Sequence, residues 1–155
     1  MKNINKLSKD LKKFDNKLIK ELIEAQQETA KVICDDVKEL APKKTGKYVE
    51  SIKVGQTEVN GMQIETPVYT DAVVISSKGI KYNLGYLLET GTSPHIIEPV
   101  FAKVLHFQIN GEDIFAKRVH HPGTVARPYF ATALNDNKYL YKIKIRDAIR
   151  RSFNE

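Results

Sequence analysis

The sequence predicts an α+β fold, in which a long N-terminal helix and a C-terminal helix pack on an antiparallel β-sheet that carries an extended β-hairpin. Three observations favour this class: an apolar stripe at helical spacing near the N-terminus, two Asn-Gly pairs between strand-like runs, and apolar residues four apart near the C-terminus. The economical organisation is a single domain over 1–155, with a helix at 4–41, a β-rich core at 52–119 and a helical part at 128–154.

The N-terminal helix is predicted from one stripe of apolar side chains. It consists of Ile4, Leu7, Leu11, Phe14, Leu18, Leu22 and Ala25, and it resumes at Ile33, Val37 and Leu40. Pro42 ends the pattern, because the residue before a proline avoids the helical region. A helix of this length spans about 55 Å at 1.5 Å per residue, whereas a compact domain of this size is about 40 Å across. We therefore expect the first turns to overhang, kink or rest on a partner.

The middle of the chain is predicted to be β-rich. Asn60-Gly61 separates "IKVGQTEV" from "MQIETPVY", and Asn110-Gly111 separates "AKVLHFQI" from "EDIFAKRV". A type I′ turn needs positive φ at both central residues, which Asn and Gly tolerate, so each pair predicts a hairpin. A further strand is predicted over 71–78, and a short helix or strand ending at a glycine turn over 82–92.

The last segment has two periodicities. "YLYKIKIR" alternates apolar and basic residues as a strand would, whereas Tyr141, Ile145, Ile149 and Phe153 are four apart as in a helix. The length of the segment favours the helix. Its lysines and arginines, with Tyr139 and Tyr141 as stacking groups, also fit nucleic-acid binding, but the basic outer face of an amphipathic helix explains them more simply.

Composition excludes several classes of protein. The chain has 155 residues, 41% of them hydrophobic, and a net charge of +6. No apolar run approaches the roughly 18 residues of a membrane span, and no apolar signal-peptide core follows the basic N-terminus. We therefore expect a protein made and kept in a cytoplasm. The single cysteine, Cys34, excludes an internal disulfide and lies in the apolar-periodic stretch, which predicts burial.

No set of residues predicts catalysis. The four histidines are His95, His106, His120 and His121. Residues 120 and 121 would point to opposite faces of a strand and could not share one metal without a bend, and no HExxH, CxxC or GxSxG motif accompanies them. The acidic pairs at 35–36 and 112–113 are interpreted as solvent-facing. We expect no enzyme activity, no metal and no cofactor.

Two glycine turns frame the middle of the chain: "LETGTSPH" at 88–95 and "HPGTVARPYF" at 121–130. Glu89 and Arg127 lie at the ends of elements that have to pack together. The hypothesis is that this carboxylate and this guanidinium pair across the core or across a subunit boundary, bidentately if the geometry allows. The alternative is two unrelated surface charges.

Three segments occur in an order typical of one family. "LAPKKTGKYVESI" (40–52), "YLLETGT" (86–92) and "ARPYFATAL" (126–134) together resemble the tailed-phage morphogenesis family of tail-completion or head–tail joining proteins, also described as minor capsid, minor tail or neck proteins of lambdoid-type siphophages. The segment "AKRVHHPGT" resembles the insertion of longer members. Tyr48, Tyr129-Phe130 and Thr132 depart from the usual residues of the pattern, and these changes affect packing only.

The resemblance implies a structural virion protein of the neck or tail, made in the host cytoplasm. Its expected partners are further copies of itself in a ring, for which six copies is one option, and neighbouring connector or stopper, tail-terminator and tube proteins. Non-specific contact with DNA in the channel is a further expectation. The alternatives are a tail terminator and a small basic nucleic-acid-binding protein. Structural or subunit-interface candidates are Glu89, Gly91, Arg127, Pro128, Phe130 and, on the projecting hairpin at 102–119, Phe115.

Overall fold

The protein, described by a computed structural model, is an α+β protein. The structure describes residues 2–43, 46–61, 63–76, 79–100 and 102–154. Its helices are α1 (Lys2–Leu40), α2 (Lys47–Glu50), α3 (Leu84–Thr90), α4 (Tyr129–Asp136) and α5 (Lys138–Phe153). The predicted fold class is confirmed, and the ambiguous last segment is a helix.

The strands form two-stranded ladders in the part of the chain that the structure describes. They are β1 (Ile52–Val54), β2 (Glu58–Asn60), β3 (Gln63–Glu65), β4 (Val68–Thr70), β5 (Val73–Ile75), β6 (Lys81–Asn83), β7 (His95–Ile97), β8 (Leu105–Ile109), β9 (Glu112–Ala116) and β10 (Val119–His121). The pairs are β1–β4, β2–β3, β5–β6, β7–β10 and β8–β9. The last four are antiparallel, as predicted.

The chain divides into two compact units. Unit 1 comprises Met1–Tyr69 and Phe130–Glu155, and unit 2 comprises Thr70–Tyr129. Unit 1 therefore joins the two ends of the chain, whereas unit 2 is one continuous segment. The single-domain organisation over 1–155 stays a prediction.

Unit 1 is built on an antiparallel pair of helices, α1 and α5. Arg151 donates to Glu21 at 2.6 Å, and Lys144 donates to Glu28 at 2.6 Å. A third contact lies just before the start of α5, where the Asn137 side-chain amide donates to Asp36 at 2.6 Å. Partners on α1 ascend as those on α5 descend, which fixes the antiparallel register.

Small side chains lie between the charged contacts of this pair. In the same register Ala25 stands level with Ala148, and these two residues are 1% and 0% exposed. Small residues let helix axes approach closely, and close approach increases dispersion contacts. Further along α1, Val37 and Cys34 are buried, with Ile52 of β1 also buried, and the Cys34 thiol donates weakly to the Ile52 carbonyl at 4.0 Å. The predicted burial of Cys34 is confirmed.

The helix α1 extends beyond its partner. The α5 helix ends at Phe153, whose ring lies 4.8 Å from that of Phe14. N-terminal to this contact, Leu7 is 60% exposed and Leu11 is 54% exposed. The predicted overhang is confirmed for this stretch; the side chain of Ile4 lies outside the described residues.

The two Asn-Gly pairs form hairpins with different turns. Asn110 and Gly111 have φ of 53° and 87°, with Ile109 paired to Glu112, so this turn has the predicted positive φ at both positions. Asn60 instead belongs to β2, where it pairs with Gln63, and the positive φ of 63° falls on Gly61. The hairpin at Asn60-Gly61 is confirmed, but the expectation that Asn60 is a turn residue was wrong by one position.

Candidate functional site

The two glycine turns of unit 2 are bound to each other through their backbones. The Thr92 amide donates to the Thr124 carbonyl at 3.0 Å, and the Thr124 amide donates to the Thr92 carbonyl at 3.1 Å. β7 and β10 continue the pairing, with His95 opposite His121. The two turns and the strands β7 and β10 therefore form a closed joint. We call it the glycine joint and define it as residues 88–97 and 119–127.

Two glycines make the close approach in this joint possible. Gly91 has φ of 73° and Gly123 has φ of 88°, both in the left-handed region that other residues rarely adopt. A Cβ atom on Gly91 would run into the Thr124 carbonyl oxygen, and one on Gly123 would run into the Thr92 carbonyl oxygen. The candidate Gly91 thus has a reciprocal partner, Gly123, which the sequence interpretation treated only as a turn residue.

Arg127 meets the end of α3 through its backbone. Its amide donates to the Leu88 carbonyl at 2.9 Å, which brings Arg127 next to the residue preceding Glu89. Glu89 is half-buried and Arg127 is exposed. Pairing of the two side chains stays a prediction. The candidate Pro128 directly precedes α4, and the candidate Phe130 lies in the first turn of that helix.

A histidine pair lies within the glycine joint. The rings of His95 and His121 stack with centroids 4.9 Å apart. The Nδ1 atom of His121 accepts the Gly123 amide at 3.1 Å, and His95 Nδ1 lies 2.9 Å from the Ser93 carbonyl oxygen. Sequence reasoning missed this pair because the two histidines are brought together only by the β7–β10 register. No cluster of three or more His, Cys, Asp or Glu suited to a metal occurs among the described residues.

The hairpin of β8 and β9 exposes an aromatic side chain. Phe115 is 66% exposed, and its ring stacks on His106 with centroids 4.7 Å apart. Asp113 accepts from Gln108 at 3.0 Å and lies 2.8 Å from His106 Nε2. Hydrogen bonds from Gln108 and then His106 hold the pKa of the Asp113 carboxyl below its usual value. These contacts link the two strands of the hairpin and leave Phe115 at its surface.

The β5–β6 ladder exposes apolar side chains on both faces. Val73 and Ile75 are 54% and 63% exposed, and Tyr82 on the neighbouring strand is 43% exposed. A two-stranded ladder is marginally stable without a covered apolar face. These exposed side chains make the ladder a candidate interaction surface.

Unit 1 contains an apolar groove between α1, β4 and the helices α4 and α5. Its volume is about 450 Å³, and its apolar lining includes Ala30, Ile33, Val68, Phe130, Leu134 and Tyr141. We call it the α1–α4 groove. Leu134 is 54% exposed although it lies in the apolar side of α4. Sequence analysis identified Phe130 but not the groove, because its walls come from segments about 100 residues apart.

An acidic pair lies beside this groove. Glu58 and Glu65 stand directly opposite each other in the β2–β3 hairpin, and both line a second hollow that shares Gln26 and Thr66 with the groove. The hairpin is held to α1 through Gln27, which donates to Thr57 at 3.1 Å. Like charges opposite each other on a ladder destabilise it, so a cation between them would stabilise the hairpin.

The basic residues of α5 are largely paired within the protein. Lys144 and Arg151 bind Glu28 and Glu21, while Arg146 and Arg150 lie 3.6 and 3.8 Å from Asp147. The four-spaced stripe that predicted this helix is partly exposed: Tyr141 and Ile149 are each 40% exposed. The side that faces α1 is instead formed by small residues such as Ala148 and Ser152.

A family model, described as "Bacteriophage HK97-gp10, putative tail-component", matches residues 1–91. The match covers more than half of the 155 residues. The chain belongs to the HK97-gp10-like family of bacteriophage tail components. The tailed-phage resemblance noted from the sequence is thereby confirmed at the level of a phage tail component.

The HK97-gp10-like match runs from α1 to Gly91, the first glycine of the joint. The strands β7 to β10 and the helices α4 and α5 follow the matched region. No curated protein and no solved structure matches the chain. Among the described helices, none has an apolar stretch long enough to cross a membrane.

Proposed function

We propose that this HK97-gp10-like protein is a structural component of the head–tail junction of a long-tailed phage or prophage, where copies assemble into a ring and complete the tail. Membership of a phage tail-component family supports the virion setting. The observation that carries the assembly role is the exposed apolar surface in both units: Leu7 and Leu11 on α1, Leu134 on α4, and Val73 and Ile75 on β5. Such surface is costly in water and is covered when subunits associate.

The proposed role requires binding and no chemistry. The projecting β8–β9 hairpin offers open strand edges and the exposed ring of Phe115 to a neighbouring subunit. The neighbours of the ring would be connector or stopper, tail-terminator and tube proteins, and DNA would pass through its channel. The protein would be made in the host cytoplasm and end in the virion.

The tail terminator is the closest alternative, since it resembles a tail-completion protein in size and in its helix-plus-sheet build, and a phage tail component fits either role. A protein that caps the growing tube should leave tubes of uncontrolled length when it is lost. A protein that completes the tail for joining should leave tubes of normal length. A nucleic-acid-binding role is less well supported, because four basic side chains of α5 already have carboxylate partners.

The test is deletion of the gene in an inducible phage, followed by electron microscopy of the lysate. We expect filled heads and tails of normal length that fail to join, and rescue by the gene supplied from a plasmid. Overlong tubes would favour the terminator. Joined, infectious particles in the deletion lysate would contradict a role at the junction.

A further inference from the structure

The overhang of α1 is an apolar and basic face without a partner. Leu7 and Leu11 are more than half exposed, and they lie between Lys6, Lys9 and Lys12. Among the described residues none of these three lysines forms an ion pair. A helix with exposed leucines at four-residue spacing is suited to docking in an apolar groove. Its positive charge favours a groove that is flanked by carboxylates.

The α1–α4 groove has the complementary properties. Its floor is apolar, with Phe130, Leu134 and Ile33 among its lining residues, and its edge adjoins the opposed carboxylates of Glu58 and Glu65. In the part of the chain that the structure describes, neither carboxylate forms an ion pair. Lysines placed there would relieve the repulsion between the two glutamates.

The overhang cannot fill the groove of its own chain. Leu11 and Ala30, which lines the groove, belong to the same continuous helix. At 1.5 Å per residue they are separated by about 28 Å along the helix axis. The occupant must therefore come from a second copy if it is this segment.

Two other docking arrangements of the overhang are disfavoured by charge. Residues 6–13 contain four lysines and one aspartate, so two overhangs laid against each other would repel. The partly exposed stripe of α5 is flanked by Lys142, Arg146 and Arg150 against the single carboxylate of Asp147, and the remaining positive charge would also repel a basic helix. Of the two apolar hollows of unit 1, the α1–α4 groove is the one that adjoins carboxylates without an ion pair among the described residues, and the single lysine in its lining is Lys138.

We propose that residues 6–13 of one copy dock in the α1–α4 groove of a second copy, with Leu7 and Leu11 on its apolar floor and the lysines toward Glu58 and Glu65. This inference rests on the proposed ring assembly and specifies its contact. The donor surface and the acceptor surface differ, so the contact is heterologous and repeats from copy to copy until a ring closes. One such contact is small, and ring closure strengthens it because the last contact forms intramolecularly.

Cysteine cross-linking tests the contact directly. A chain with Leu11→Cys and a differently tagged chain with Leu134→Cys are mixed under mild oxidation; the native Cys34 is buried and is left in place. We expect a mixed disulfide dimer on a non-reducing gel, at a yield about tenfold above that of Leu40→Cys mixed with Leu134→Cys, because a disulfide needs Cβ atoms about 4 Å apart. Leu40 is 49% exposed at the far end of α1 and is a matched control.

Two results of the cross-linking experiment would contradict the proposed docking. Disulfides between two Leu11→Cys chains at equal or higher yield would mean that overhangs pair with each other. Absence of the mixed dimer, at concentrations up to those reached in assembly reactions, would also overturn it. Thermal melting of each variant before oxidation verifies that both chains are folded.

A charge exchange provides an independent test. The double variant Glu58→Lys/Glu65→Lys should self-associate about tenfold more weakly than the parent in sedimentation experiments at low salt. Combining it with Lys9→Glu/Lys12→Glu should restore association. Glu39→Lys, on α1 but outside the residues that line the groove and the hollow beside it, should have no such effect.

The tests of this docking contact and the deletion test of the proposed function can fail independently of each other. If restoration fails while the gene deletion still leaves unjoined heads and tails, this docking mode is wrong and the role at the junction stands. If cross-linking succeeds while deletion lysates contain joined particles, the contact is real and the proposed function is wrong.

Discussion

Thr92 and Thr124 exchange backbone hydrogen bonds in both directions, at 3.0 and 3.1 Å, across 32 residues of chain. The exchange requires that two turns approach each other backbone to backbone, which Gly91 and Gly123 permit. The glycine joint therefore depends on the absence of two side chains as much as on any contact that is present.

Replacing either glycine of the joint should destabilise unit 2. Gly91→Ala and Gly123→Ala each combine a positive φ with a clash against a carbonyl oxygen, and we expect a loss of about 1–3 kcal/mol in the free energy of unfolding. Urea denaturation measures this loss. Gly111→Ala is the control, because its φ is also positive at 87° but nothing lies within 4 Å of the added methyl. Equal losses at positions 91 and 111 would mean that the clash does not matter.

Arg127→Ala should lower stability or assembly if its guanidinium pairs with Glu89. We expect a loss of about 1–2 kcal/mol, the value of a charge-assisted hydrogen bond that is removed. Thermal melting and sedimentation measure the two effects. Arg118→Ala is the matched control, since Arg118 lies 3.5 Å from Glu98 in an exposed pair that should contribute little. An Arg127→Ala variant that melts and assembles like the parent would refute the pairing.

The contact between Glu28 and Lys144 should make the α1–α5 pair sensitive to acid. The hydrogen bond from Lys144, followed by its positive charge, holds the pKa of the Glu28 carboxyl below its usual value. A carboxyl with a lowered folded-state pKa stabilises the fold above its unfolded pKa, near 4.3, and this contribution disappears as pH falls through the folded value.

The melting temperature of Glu28→Gln, measured from pH 7 to pH 3, tests that dependence. We expect the variant to melt below the parent at neutral pH and to converge with it in acid. Because the Lys144 and Glu28 side chains are 37% and 56% exposed to solvent, which screens their interaction, the difference at neutral pH should be small. Glu24→Gln, which removes a carboxylate 3.9 Å from Lys20 on the same helix, should melt like the parent throughout. A constant difference at all pH values would exclude the ion pair as the cause.

Ala148→Leu should separate α5 from α1. Ala148 is fully buried level with Ala25, so the extra carbons have no space, and overpacking of this kind costs about 1–3 kcal/mol. Ala131→Leu places the same change on an exposed position of α4 and should stay within about 0.5 kcal/mol of the parent. Chemical denaturation compares the two; equal stabilities would argue against close contact between the helices.

Cys34 should be inert in the folded protein. It is 3% exposed, and burial raises the pKa of its thiol, so little thiolate is available to react. A thiol reagent should label it slowly at neutral pH and rapidly in denaturant, with mass spectrometry as the readout. Rapid labelling under native conditions would mean that α1 separates readily from β1 near Cys34.

The sequence predicted elements more reliably than their partners. The stripe of α1, the Asn110-Gly111 turn and the glycine after α3 are local signals, and each predicted the right structure. The stripe at Tyr141, Ile145 and Ile149 gave the helix but not its buried side, because Ala148 and Ser152 form that side and small residues carry no periodic signal. Which strands pair, and in which register, depends on contacts between residues that are distant in sequence.

The same limit applies to the candidate site. Gly91 and Arg127 were identified because each lies in a recognisable turn, and the structure places their segments together. Gly123 as a partner, the stacked His95 and His121, and the α1–α4 groove were missed, since each depends on which distant segment lies opposite. The basic residues beside the apolar stripe of α1 could be identified from the sequence. The opposition of Glu58 and Glu65 could not, because it depends on the pairing of β2 with β3.

The antiparallel helix pair has a consequence for synthesis. Glu28 and Lys144 are separated by 116 residues, so a ribosome adding about 5–20 residues per second needs roughly 6 to 23 seconds between them. During that interval the nascent α1 has no α5 to cover it, and its leucines are accessible to chaperones and to other nascent chains. Translation thus delays the maturation of the surfaces from which a particle would be built.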